Sequence, residues 1–97
     1  MTHYILKDRK AVPADLMTWA RMLESGESRN VANTMIGGIR VSTVFLGLDH
    51  SFGGGPPLLF ETMVFGGPLD QDQDRYTTWE QAEAGHAAMC KRVKAAS

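Results

Sequence analysis

One stretch near the start of the chain has apolar residues at helical spacing. The apolar positions are Leu16, Trp19, Ala20 and Leu23. This i, i+3, i+4, i+7 pattern is typical of a helix with one buried side. Pro13 stands where such a helix can begin, and the carboxylate of Asp15 can cap its first turn. Ser25-Gly26 supplies the residues that end it.

Two later stretches have the composition of β-strands. Ile39 to Asp49 and Leu58 to Phe65 are rich in β-branched and aromatic residues. Between them, Ser51 to Pro57 contains three glycines and two prolines, which break the pattern. The two stretches predict an antiparallel hairpin, Ile39 to Phe65. Its first strand is expected at the centre of the sheet, because both of its faces are largely apolar.

Weaker strand patterns precede this hairpin. His3 to Lys7 reads as a short edge strand that runs into charged residues. Arg29 to Ile36 alternates and fits a strand, and Gly37-Gly38 is a signal for a tight hairpin turn into the central strand.

The end of the chain has a second helical pattern. Thr78 and Gln81 have the spacing of a capping box, and Thr77 with Glu80 is the other possible register. One apolar stripe follows, and its members are Trp79, Ala82, His86, Met89, Cys90 and Val93. Because Leu69 to Tyr76 is polar, it is expected to be an exposed loop.

These elements predict an α+β fold with the order β-α-β-β-β-α. A three- to four-stranded antiparallel sheet with two helices packed on one face would bury both helical stripes. Trp19 and Trp79 are expected to anchor the helices to the sheet.

The composition is that of one domain, residues 1–97. Hydrophobic content is 43% and charged content is 22%, as in ordinary globular proteins. The net charge of −1 disfavours nucleic-acid binding through phosphates. Cys90 is the single cysteine, so no internal disulfide can form. No segment has the ~20 apolar residues of a membrane span, and we expect a cytoplasmic protein without membrane contact or cofactor.

Polar residues near the hairpin loop are the first candidates for chemistry. Asp49 could orient His50 for proton transfer or bind a ligand with it. Turn chemistry fully accounts for the placement of both residues and is the favoured interpretation. Glu61 interrupts an apolar strand, where a carboxylate needs a partner that Arg40 or Ser42 could supply. A cross-strand ion pair or a solvated face is favoured over a ligand-binding carboxylate.

His86 and Cys90 lie four residues apart on one side of the last helix. That spacing could start a zinc site or an activated thiolate. No second cysteine is present to complete a structural zinc site, and both residues lie on the apolar stripe. The favoured interpretation is that they belong to the core, with no metal site.

Four segments of the sequence form a distinctive motif, and they are Val41 to His50, Pro57 to Gly67, Arg75 to Ala82 and Gly85-His86. In these segments the chain resembles a group of small proteins encoded in bacteriophages and prophages. It implies a phage or prophage origin, and it carries no catalytic or binding role to particular residues.

These observations favour a non-enzymatic phage accessory protein that acts by protein–protein contact, with an unidentified host protein as partner. A host factor or defence system could be its target, and an open sheet edge could also give a homodimer. The alternative is a small-ligand-binding domain or minor enzyme that uses Asp49, His50 and Glu61. A third hypothesis, nucleic-acid contact, would use Arg40, Arg75 and the basic C-terminal residues. The residues predicted to contact a ligand or partner are Asp49, His50, Phe52, Glu61, Arg40 and Arg75.

Overall fold

The computed structural model describes residues 2–25, 29–49, 51 and 53–96, which form an α+β fold. The strands are β1 (His3–Lys7), β2 (Lys10–Ala14), β3 (Asn30–Ile36), β4 (Ile39–Phe45), β5 (Phe60–Phe65) and β6 (Gln73–Tyr76). The helices are α1 (Leu16–Glu24) and α2 (Trp79–Ala96). Strands β1 and β2 form a two-stranded antiparallel sheet, and β3 to β6 form a second sheet in the order β3-β4-β5-β6.

The predicted central hairpin is confirmed as β4 and β5. The two strands are antiparallel, with Val41 opposite Val64 and Phe45 opposite Phe60. Strand β4 is an inner strand of the sheet because β3 pairs with its other edge. The β3–β4 turn is Gly37-Gly38, and both glycines have positive φ, as a tight type I′ turn requires.

Two short strands add to the predicted order. Strand β2 contains Pro13, which lies opposite Tyr4 rather than at the start of a helix. Proline is tolerated there because β2 is an edge strand of a two-stranded sheet. Strand β6 lies in the stretch expected to be a loop, and its Tyr76 pairs with Phe60. Its polar composition conceals the strand, because β6 lies at the edge of the sheet and its residues Gln73 and Asp74 are exposed.

Helix α1 begins at Leu16, and the Asp15 cap is confirmed. The Thr18 N–H donates to Asp15 Oδ1 over 2.7 Å, and this bond lowers the pKa of the Asp15 carboxyl. The buried side differs from the predicted stripe, because Leu16 is 56% exposed while Met22 is buried. Leu16 lies in the first turn, beyond the edge of the core. The helix ends at Glu24, and the expected stop residue Gly26 lies outside the described residues.

The core lies on one side of the four-stranded sheet. Met22 of α1 and Ala82 of α2 share one buried cluster with Phe45, Leu59 and Phe60. Both helices therefore pack on the same side, as predicted. A second cluster joins the C-terminal half of α2 to the sheet, and its buried members are Val41, Val64, Met89, Cys90 and Val93.

The two-stranded sheet is attached to the main sheet next to Gly47. The Tyr4 N–H donates to the Gly47 carbonyl over 2.8 Å. A β-carbon at Gly47 would lie 2.6 Å from Trp19 Nε1, and the glycine φ is +74°. Only glycine fits here, because Trp19 of α1 and the backbone of β1 both approach Gly47 closely. This contact places Trp19 against the main sheet.

Candidate functional site

The side of the main sheet that faces away from α1 and α2 carries its own set of side chains. Residues paired across antiparallel strands point to the same face, so the register defines this set. We call it the open face. Its members are Asn30, Asn33, Met35, Arg40, Ser42, Val44, Glu61, Met63, Phe65, Gln73 and Arg75. In the described part of the chain, both helices lie on the opposite side.

The open face carries an exposed aromatic ring with an arginine stacked on it. Phe65 is 39% exposed, and the guanidinium carbon of Arg40 lies 4.5 Å from the centroid of its ring. The two residues are cross-strand partners, which aligns the stack. Met35, opposite Arg40 on β3, is 61% exposed. Phe65 and Met35 form an exposed apolar strip, and the guanidinium of Arg40 adds a positive charge beside it.

Glu61 forms a cross-strand ion pair on the same face. Its Oε2 atom lies 3.0 Å from Nε of Arg75, its partner across β5 and β6. The prediction of a cross-strand pair is confirmed, but the predicted partners Arg40 and Ser42 are wrong. Arg40 lies opposite Phe65, near the other end of β5. Because β6 was not predicted, its Arg75 could not be proposed as the partner.

Asp49 closes the base of the loop between β4 and β5. Its Oδ1 atom accepts the N–H of Ser51 over 2.8 Å and that of Leu58 over 3.0 Å. The first bond spans two residues, as in an Asx turn, which agrees with the favoured turn interpretation. His50 and Phe52 lie outside the described residues, so the predicted convergence of His50 with Asp49 and Glu61 stays a prediction.

The imidazole of His86 lies in a buried polar network between α2 and the sheet. Nε2 is 2.8 Å from the hydroxyl oxygen of Thr34, and Nδ1 is 2.7 Å from that of Thr43. The Thr43 hydroxyl also bonds to that of Thr62. Thr43 and Thr62 are fully buried. The network thus joins β3, β4 and β5 to α2 on the core side of the main sheet.

This network accommodates either neutral tautomer of His86. If Nε2 carries the proton, Thr34 accepts it and Thr43 donates to Nδ1; in the other tautomer each of these bonds reverses. Burial lowers the pKa of His86 from 6.5, so the imidazole is held neutral. Cys90 is buried one turn further along α2, as the core interpretation predicted. The described residues contain no cluster of His, Cys, Asp and Glu that could hold a metal ion.

A cleft of about 390 Å³ lies at the start of α2. Its lining includes Arg9 and Lys10 as well as Thr77, Thr78, Trp79 and Glu80. The guanidinium carbon of Arg9 lies 5.3 Å from the centroid of the Trp79 ring.

Some of the backbone N–H groups at the start of α2 already donate hydrogen bonds within the chain. The Gln81 N–H donates to Thr78 Oγ1 over 3.1 Å, and the Thr78 N–H donates to Gln81 Oε1 over 3.2 Å. These reciprocal bonds confirm the predicted capping box. Positive charge in the cleft therefore comes mainly from Arg9 and Lys10.

The basic residues of the nucleic-acid hypothesis have other contacts in the structure. Arg75 pairs with Glu61, and Arg92 of α2 lies 3.1 Å from Asp72 and 3.6 Å from Asp74. These ion pairs neutralise much of the positive charge that a phosphate backbone would need.

No protein-family model, curated protein or solved structure matches this chain. The resemblance to phage-encoded proteins therefore stays a prediction. Neither described helix has the combination of length and apolar character that a membrane span needs.

Of the residues predicted as contacts, the structure brings Glu61 and Arg75 together and places Arg40 on the same face. Asp49 belongs instead to the base of the loop. Met35 and Phe65 are exposed but are not among the predicted contact residues. Strict alternation along β5, where the even-numbered residues are buried, could have identified Phe65.

Proposed function

We propose that the protein acts by protein–protein contact and that the open face is its contact surface. The observation that carries this proposal is the stack of Arg40 on the exposed ring of Phe65, beside the exposed side chain of Met35. Aromatic residues, methionine and arginine are the residue types enriched at protein interfaces, and lysine and the acidic residues are depleted there.

The remaining charges of the open face suit the rim of such an interface. Glu61 and Arg75 neutralise each other at the β5–β6 side, so a partner would not have to supply a charge for either. The β-sheet backbone holds Arg40, Met63 and Phe65 in fixed positions, which reduces the entropy lost when a partner binds. An apolar strip with a paired ionic border is the usual arrangement of an interface that forms reversibly.

The partner would be a protein of the host bacterium. As a phage or prophage accessory protein, this chain would modulate the activity of that host protein. This part of the proposal rests on the sequence resemblance of Val41 to His50 and Pro57 to Gly67. A non-enzymatic role is proposed because the carboxylates of Asp49 and Glu61 already bind the loop amides and Arg75.

Affinity purification from a lysate of that bacterium tests the proposal with a matched pair of variants. Met35 and Met17 are both exposed methionines, at 61% and 62%, but only Met35 lies on the open face. A protein recovered with the wild type should be lost with Met35→Ala and Phe65→Ala and retained with Met17→Ala. Recovery that is equal for all baits would contradict a role for the open face.

A second candidate function is the binding of a small anionic ligand in the cleft at the start of α2. The observation in its favour is that Arg9, Lys10 and the hydroxyl-bearing Thr77 and Thr78 line a volume of about 390 Å³, where the two cations outnumber the carboxylate of Glu80. Stacking on Trp79 holds the Arg9 guanidinium in place for an anion.

Titration with inorganic phosphate, followed by two-dimensional NMR, tests this candidate. Saturable shifts of Thr77 and Thr78 amides that disappear in an Arg9→Ala variant would support it. Shifts that are unsaturable, or equal in both proteins, would dismiss it.

A further inference from the structure

The two outer edges of the main sheet differ in length and charge. Strand β6 has only four residues and includes Asp74 and Arg75. Arg92 of α2 forms ion pairs with Asp72 and Asp74 beside it. Strand β3 has seven residues and contains neither a charged residue nor a proline. Natural edge strands are usually shortened or charged, which prevents pairing with other chains. Strand β6 has this protection. Strand β3 has a register irregularity between Asn30 and Ala32, but it is regular and uncharged from Ala32 to Ile36.

The hairpin geometry determines which backbone groups of β3 point outward. In a tight two-residue hairpin the residues that flank the turn, here Ile36 and Ile39, form a hydrogen-bonded pair. Hydrogen-bonded and non-hydrogen-bonded pairs then alternate along the strands. Asn33 and Met35 fall in non-hydrogen-bonded pairs, so their N–H and C=O groups point away from β4. In the described part of the chain, no strand pairs with this edge.

We propose that β3 pairs with β3 of a second copy of this chain in an antiparallel dimer. The two-fold axis would pass next to Thr34, so that Asn33 of one copy lies opposite Met35 of the other. Their outward-pointing backbone groups would bond to each other, and the main sheets would join into one continuous sheet. This inference goes beyond the proposed contact with a host protein and does not depend on it.

The side chains of β3 favour a second copy as the occupant. In a two-fold symmetric pair, a charged residue near the axis lies close to the same residue of the second copy. A strand that pairs with itself must therefore avoid charged residues there, because like charges would repel. Strand β3 meets this condition because it carries no charge. On the core side, the small residue Ala32 would lie opposite the larger Ile36 of the second copy, on both sides of the axis. Thr34 would lie opposite its own copy, a favourable cross-strand pair.

The joined sheet would also cover apolar surface that a monomer leaves accessible. Ala32 and Ile36 are only partly buried, and Met35 is 61% exposed. Each lies within the paired stretch, so the dimer would shield part of each side chain from water.

Analytical ultracentrifugation of the full chain over a wide concentration range tests the dimer. The wild type should sediment with twice the mass of the chain. The double variant Asn33→Lys/Met35→Lys places lysines opposite lysines, and its dissociation constant should rise at least about tenfold. Gln73→Lys adds the same charge at the other edge and should dimerise as the wild type does. Circular dichroism confirms that each variant is folded.

A charge swap tests the register. The double variant Asn33→Glu/Met35→Glu should also be monomeric alone, and a mixture with the lysine variant should restore a dimer. A monomeric wild type at every concentration would overturn the proposal. So would a lysine variant that dimerises normally, or a mixture that stays monomeric. If a strand of another protein occupies this edge instead, the wild type alone will be monomeric, and the proposal is equally refuted.

Discussion

Replacement of Thr43 by valine tests whether the buried network stabilises the fold. Valine has nearly the same shape as threonine, so the substitution Thr43→Val leaves no cavity and removes only the hydroxyl. That hydroxyl bonds to both Thr62 and His86, and Thr43 is fully buried. Because Thr62 and His86 are buried, water does not replace the hydrogen bonds that they lose.

The expected loss of stability follows from the groups that remain unpaired. A buried polar group without a partner costs roughly 1–3 kcal/mol. His86 can reduce this cost by placing its proton on Nε2, which still bonds to Thr34. We therefore expect Thr43→Val to lower the free energy of unfolding by about 1–3 kcal/mol in total. In a domain of this size that corresponds to a decrease in Tm of roughly 5–20 °C.

Urea unfolding followed by tryptophan fluorescence measures this change, because Trp19 and Trp79 both contact the core. The slope of the free energy against urea should stay unchanged, since the same surface is exposed on unfolding. Thr77→Val, a threonine outside the network, is the control and should change stability by less than about 0.5 kcal/mol. A loss for Thr43→Val as small as that of the control would refute the stabilising role of the network.

Three further predictions follow from single contacts. Burial lowers the pKa of His86 below 6.5. The contribution of neutral His86 to stability is therefore complete above pH 6.5 and is lost as the pH falls through the folded-state pKa. Unfolding curves measured against pH should lose this dependence in the His86→Leu variant. A β-carbon at Gly85 would overlap the Tyr76 ring, so Gly85→Ala should lower stability by roughly 1–3 kcal/mol. An unchanged or higher Tm would show that the ring moves aside at no cost. The pair Glu61–Arg75 is partly exposed, and a double-mutant cycle with Glu61→Gln and Arg75→Gln should give a coupling of about 0.2–1 kcal/mol; a larger value would mean that the pair is more buried than the structure shows.

The fold class could be predicted because its strongest signals are local. The hairpin of β4 and β5, the Gly37-Gly38 turn and the capping box at Thr78 each depend on residues close together in the sequence. Strand β6 could not be predicted, because a short polar strand forms only when the edge of β5 is available to pair with it.

The candidate surface was harder to predict than the fold. A carboxylate in an apolar strand predicted an ion pair for Glu61, but its partner depended on the unpredicted β6. The threonine network needed side chains from β3, β4, β5 and α2, and no spacing within one element indicates such a contact. The stripe of α2 did place His86 in the core, yet only the structure shows which hydroxyls bind its two nitrogens.

Site-specific photo-crosslinking tests most directly whether the open face contacts a partner. The photoreactive residue p-benzoylphenylalanine would replace Phe65 on the open face, and in a control it would replace Leu16, which is 56% exposed on α1. Irradiation of bacterial cells that produce each variant, followed by mass spectrometry, identifies the crosslinked protein. We predict that position 65 gives an adduct with one cellular protein and that position 16 does not. An adduct with the same protein only from position 16, or no adduct from position 65, would contradict the account.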